Sequence, residues 1–201
     1  MIVVESRRKK LEGILKRYPG AVIADVTSKA TDALVKLSPF YPHGDIPVPF
    51  TEGMTAMSVE GVWQGLKVFA NSDVDVSVFY NDTMKNIKRT TRKYGKTLGH
   101  RKGVYGTELL NYIDARKEIY IPTYKWVLEN KVNHIINRMK IASETKTIVL
   151  LDYEVNSDID NPAKPLSHAY LIKAYIEGLY PFSNFKTEEE LTENQLELFN
   201  E

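Results

Sequence analysis

Between residues 37 and 56 stand Pro39, Pro42, Pro47 and Pro49, with Gly44 and Gly53 among them. Proline has no amide hydrogen to give a helix interior, so this stretch is a structured loop or a set of short edge strands, not a helix. In a compact domain such a loop often forms the wall or rim of a site. On one side of it lies AVIADV (21–26), small and β-branched, which reads as a buried strand. On the other side Val59, Val62, Trp63, Leu66 and Phe69 recur at helical spacing, predicting a helix over 57–70 with Ser58 as its cap.

The remaining elements follow from the same reading. Residues 5–18 predict a helix capped by Ser6, with Leu11, Ile14, Leu15 and Tyr18 on one face and Pro19-Gly20 ending it. A helix is expected from Asp82 to about Gly95. Residues 107–140 hold two helical pieces divided at Pro122, the second with a broad apolar stripe. TIVLLDY (147–153) is the clearest strand, followed by a polar loop (156–165) and a helix at 166–177 ending at Gly178. The expected fold class is α+β, one helix-rich domain with a few short strands. It divides into an N-terminal helix (1–20), a main domain (21–180) and an acidic tail or helix (181–201).

Composition narrows the chemistry. The chain has 201 residues, 43% of them hydrophobic, enough to build a core. It has no cysteine, which excludes disulfides, thiolate metal sites and a thiol nucleophile. His43, His100, His134 and His168 show no i, i+3 or i, i+4 pairing, so no metal or other cofactor is expected. No secretory signal or membrane span is apparent, so the expected location is cytoplasmic. The formal net charge of +1 hides a segregation. From Thr83 to Thr107 there is no acid, while Lys85, Lys88, Arg89, Arg92, Lys93, Lys96, Arg101 and Lys102 are basic. Residues 186–201 carry one Lys and six Glu. The basic segment 85–102 is a candidate phosphate-facing surface, or else a solvated face.

Two clusters could do chemistry. Glu60, Gln64 and Lys67 lie at i, i+4 and i+7 beside Trp63. A carboxylate beside a buried aromatic face is a general acid/base candidate, because desolvation raises its pKa. The bland alternative is a solvated helix face. After the 147–153 strand come Asp152, Glu154, Asn156, Asp158, Asp160 and Asn161, which on their own read first as a polar turn.

The order of these parts resembles the NADAR family of YbiA-like N-glycosidases. Leu37-Ser38-Pro39-Phe40-Tyr41-Pro42 resembles the family's first signature, with Pro39 in place of its Asn. Ser58-Val59-Glu60-Gly61-Val62-Trp63-Gln64-Gly65-Leu66-Lys67-Val68-Phe69 resembles its helix motif, with Gly61 where His is common. Gly99-His100-Arg101 matches its Gly-Arg position, and 150–158 its late strand and loop, without the Trp-Gly. A second string, Pro181-Phe182-Ser183-Asn184-Phe185, spells the first signature more literally but reads as turn residues.

The resemblance, over about residues 21–177, implies cleavage of the base–ribose bond of a phosphorylated nucleoside or an ADP-ribosylated base. It implies Glu60 as the catalytic carboxylate and Asp158 or Asp160 as a second acid. Lys67, Arg89 and Arg101 would bind phosphate near Gly99, and Gln64 and Asn156 would hold ribose or base. Trp63 or Tyr41 would stack on the base, beside Ser38 and Phe40. The alternative is a non-catalytic nucleotide or nucleic-acid binder on the same fold, using segment 85–102.

Overall fold

The apolar run near 150 becomes the middle strand of a parallel sheet. In the computed structural model, which describes residues 1–181, β8 (Ile148–Asp152) lies between β1 (Ile2–Ser6) and β2 (Val22–Asp25). The registers Val4↔Leu150 and Ala24↔Leu150 fix all three strands. Alternation sends Ile148, Leu150 and Asp152 to one face and Val149 and Leu151 to the other. The first face carries the main core. The second packs Val3 and Val149 on Ile14 of α1 (Leu11–Arg17). The helix expected over 5–18 is therefore confined to Leu11–Arg17, and Ser6 belongs to a strand. Residues 2–6 are extended because β8, distant in sequence, supplies their hydrogen-bond partners.

The proline stretch is a loop. Among the described residues its only regular pairing is β3 (Ile46–Pro47) against β4 (Thr55–Ala56). It leads into α2 (Val59–Gly65), capped by Ser58, whose hydroxyl accepts the Gly61 N–H at 2.9 Å. Gly65 lets α2 seat on Phe79, since a Cβ there would stand 2.1 Å from the ring. The helix expected over 57–70 ends at Gly65. Lys67–Phe69 is β5, which pairs with β6 (Thr97–Arg101), itself paired with β7 (Leu109–Leu110).

The helix expected over 82–95 is replaced by an irregular segment and one turn, α3 (Thr91–Tyr94). Met84 and Asn86 both sit at φ 58°, which a right-handed helix cannot accommodate. Ile87 and Arg89 then point inward, with Lys88 and Thr90 outward, the alternation of an extended chain.

α4 (Tyr112–Ala115) runs through a π turn (Arg116–Tyr120) into α5 (Ile121–Asn130). α6 (Asn133–Thr145) and α7 (His168–Ile176) complete the layer over the sheet. The chain is thus α+β. Tyr124, Val127, Leu128, Ile136 and Met139 are buried together, as the predicted stripe requires. Tyr180 seals the end of this layer by donating its hydroxyl to the Ile121 carbonyl at 2.6 Å. The expected acidic tail and the string after Pro181 lie outside the described residues.

Candidate functional site

The first turn of α2 places Glu60 below the proline loop. Its own N–H donates to the Pro39 carbonyl at 2.8 Å, tying loop and helix together. One turn on, Gln64 Nε2 donates to Glu60 Oε1 at 2.8 Å. The orientation of that amide is dictated, because Gln64 Oε1 accepts the Arg89 N–H at 3.0 Å. Glu60 Oε1 is therefore an acceptor, and any proton on the carboxyl sits on Oε2. The side chain is buried, and burial pushes its pKa up. The Gln64 hydrogen bond and the charges of Lys88 and Lys67 oppose the rise without cancelling it.

Glu60 stands where two cavities meet. The first, about 330 Å³, is lined by Trp63, Gln64, Lys67, Lys88 and Arg89 on one side and by Tyr112, Arg116 and Tyr120 on the other. The second, about 360 Å³, has Arg8, Ser38, Phe40, Asp152, Glu154 and His168 in its wall. Glu60, Lys88, Tyr120, Pro165 and Leu166 belong to both. The π turn makes the aromatic wall. In an uninterrupted α-helix Tyr120 would be rotated about 80° from Tyr112, whereas the wider turn keeps Tyr112, Arg116 and Tyr120 on one face. Burial, reinforced by Glu60 and Asp152, holds the Tyr120 phenol well above its usual pKa, so it stays protonated. Burial also lowers the Lys67 pKa. Glu60 counters that effect, and Arg89 and Lys88 add to it.

Arg116 holds the loop that closes both chambers. Its Nη1 donates to the carbonyls of Asp158, Ile159 and Asn161, and its Nη2 to that of Lys164 at 2.9 Å. Pro165 and Leu166, next along this loop, form the partition.

Asp152 faces the second chamber but is saturated. One oxygen accepts from His168 Nδ1 at 3.0 Å, the Ser167 hydroxyl at 2.7 Å and the Ala169 N–H, and the other accepts the Tyr153 N–H. His168 Nε2 lies 2.9 Å from the Val26 carbonyl. Both ring nitrogens face acceptors, which requires the imidazolium form. Burial opposes both charges, but their mutual attraction wins, so Asp152 lies below its usual range and His168 above.

Residues 6–172 match a family described as "Family of unknown function (DUF6939)". The chain belongs to that family. The DUF6939 match runs from the end of β1 into α7 and contains every residue of both chambers. No curated protein and no solved structure matches the chain.

The site of this DUF6939 chain gathers some of the expected residues and leaves others apart. Glu60, Trp63, Gln64, Lys67 and Arg89 line the first chamber, and Ser38 and Phe40 the second. Arg89 is a brace. Its Nη1 donates to the Gln64 and Lys67 carbonyls, and its Nη2 to Ser72 Oγ and the Asp73 carbonyl, so both terminal nitrogens are already engaged. Arg101 pairs with Asp73 at 2.9 Å, away from Glu60. Gly99 lies in a neighbouring groove beside Lys67 and His100. Tyr41 packs at a tilt against His43, outside both chambers. Asp158 and Asp160 are exposed, and neither lines either chamber. Asp158 accepts the Asp160 N–H in a turn, and Asp160 pairs with Lys117. Asn156 braces the same loop through the Asp158 and Lys164 carbonyls. These three belong to an Asx-turn network that lines neither chamber.

Sequence reasoning assigned no site role to Tyr112, Arg116 or His168, and it placed Lys88 only in the basic segment. Tyr112, Arg116 and Tyr120 recur every four residues, but only the fold brings that face, Lys88 and His168 to Glu60. Among the described residues no cluster of His, Asp and Glu is arranged to hold a metal ion. Nor is any helix there long and apolar enough to cross a membrane.

Proposed function

We propose that the chain hydrolyses an N-glycosidic bond of a phosphorylated nucleoside or an ADP-ribosylated base, with Glu60 as its one working carboxyl group. The observation that carries this reading is the position of Glu60. It is buried, raised in pKa and fixed through Oε1, and it lies at the junction of a cationic aromatic chamber and a mixed polar one. In this reading Lys67 and Lys88 neutralise the phosphate, and Trp63 and Tyr120 flank the ribose or base.

Protonated Glu60 gives its Oε2 proton to the departing base nitrogen as the N–C1′ bond breaks and its electron pair goes to the base. The carboxylate so formed faces the cation developing at C1′ and stabilises it in a water-poor site. Water then adds to C1′ and returns its proton to Glu60, which restores the acid. Asp152 is too fully hydrogen-bonded to share this work.

The test is release of free base from ribosylaminopyrimidine phosphates and from ADP-ribosylated guanosine. Wild-type protein should release base from one of them, at a rate that falls as pH rises through the raised Glu60 pKa. Glu60→Gln should release base at least about 10²-fold more slowly. Full activity in that variant would sink the assignment.

A further inference from the structure

The cations of the acid-free segment divide into two groups. Arg89, Arg101 and Lys102 are engaged: Arg89 with backbone carbonyls and Ser72, Arg101 with Asp73, and Lys102 with Glu108 and Glu118. Lys85, Lys88, Arg92, Lys93 and Lys96 are exposed, and among the described residues none of them makes an ion pair. Buried Ile87 and Arg89 pin the segment from inside, so the neighbouring Lys88 is turned outward. Just before the segment, Tyr80 is 66% exposed. Asn81 donates to the Lys85 carbonyl at 2.9 Å, folding the chain back beside that tyrosine. Lys88 also lies over the Phe40 ring and lines both chambers, so the row of free charge runs to the mouth of the cleft.

We propose that Lys85, Lys88, Arg92, Lys93 and Lys96 form a track for the phosphate backbone of single-stranded nucleic acid, with Tyr80 as a stacking platform. Cations interleaved with an accessible aromatic ring match alternating phosphates and base faces. A single strand fits better than a duplex. The segment offers only one helical turn, too short to enter a groove, and the adjoining chamber has room for about one nucleotide. No group on the track is placed to read the sugar, so DNA and RNA should bind alike. Binding along the track does not use Glu60.

Fluorescence anisotropy of labelled, unmodified DNA and RNA 12-mers with the full chain tests this. The readout is binding, so it stands whether or not the protein cleaves anything. With all five cations engaged, log affinity should fall against log salt with a slope of about −3.5. Lys93→Gln with Lys96→Gln should reduce that slope by roughly 1.4 and leave the melting temperature unchanged. Tyr80→Ala should weaken binding about tenfold with the slope preserved. An affinity that hardly changes between 50 and 200 mM salt would overturn the proposal. Equal binding of a duplex or of a poly-glutamate peptide would overturn it too, since the track would then be a generic anion surface.

Discussion

The end of the parallel sheet and the start of α2 each bring one buried carboxyl group to the same chamber. Asp152 is 4% exposed and Glu60 7% exposed, so solvent access does not separate them. Partners do. Asp152 accepts from His168, Ser167, Ala169 and Tyr153, and its pKa falls. Glu60 accepts from Gln64, and its pKa rises. Equal burial with unequal hydrogen bonding turns one group into a structural joint and leaves the other free to exchange a proton.

The largest expected effect breaks the contrast at Glu60. Glu60→Gln should lower base release by about 10²–10⁴-fold, the usual worth of a general acid. It should not lower stability. Because the folded pKa is raised, Glu60 contributes fully below the ordinary carboxyl pKa and loses that contribution as pH rises through its folded value. The neutral amide avoids the loss, so at neutral pH its melting temperature should equal or exceed that of wild type.

The opposite result is expected on the sheet side. His168→Leu strands a buried carboxylate and should cost about 3–5 kcal/mol in denaturant unfolding. The pair also predicts a pH window. The stabilisation from Asp152 is lost as pH falls through its depressed value. That from His168 is complete below about pH 6.5 and fades as pH rises through its raised value. A His168→Leu stability profile parallel to wild type from pH 4 to 9 would argue that the imidazole is neutral.

Two smaller effects sharpen the same comparison. Arg116→Met leaves carbonyls of the closing loop without their donor and should cost roughly 2–3 kcal/mol. Hydrogen exchange should quicken at 158–166 while the sheet stays protected. His100 sits on the α2 side, stacked 3.7 Å from Trp63 with both ring nitrogens buried and unpartnered. Burial, with Lys67 adding to it, takes its pKa down to about 3, so it is neutral. His100→Phe keeps the stack and removes the unsatisfied nitrogens, which should raise stability by about 1 kcal/mol. A fall in melting temperature would show that the imidazole has a partner in solution.

Sequence patterns revealed what depends on near neighbours. The apolar run at 148–152 is a strand, and the i, i+4 spacing of Glu60 and Gln64 becomes a hydrogen bond. Ile2–Ser6 was not legible as a strand, because its partners lie on β8. Around Lys88 the helical reading of the charges failed, since Ile87 and Arg89 alternate inward at period two. Asp158 and Asp160 looked like site acids because turn residues and site residues draw on the same side chains. The pairing of Asp152 with His168 joins a strand end to a helix start across the 156–165 loop, and no local pattern announces it.

The π turn at Arg116–Tyr120 has a consequence for how such a cleft can change over generations. Its geometry depends on chain length, not on any one side chain. Five residues at the π pitch turn the chain about as far as four at the α pitch, so removing a single residue there would restore an ordinary helix and leave the phase of everything after it nearly unchanged. Tyr120 would then keep its place at the cleft, and Tyr124 and Leu128 theirs in the core. Point substitutions can retune the aromatic wall one ring at a time, and a one-codon deletion would keep wall and core in phase, whereas straightening the turn with every residue kept would rotate one against the other by about 80°.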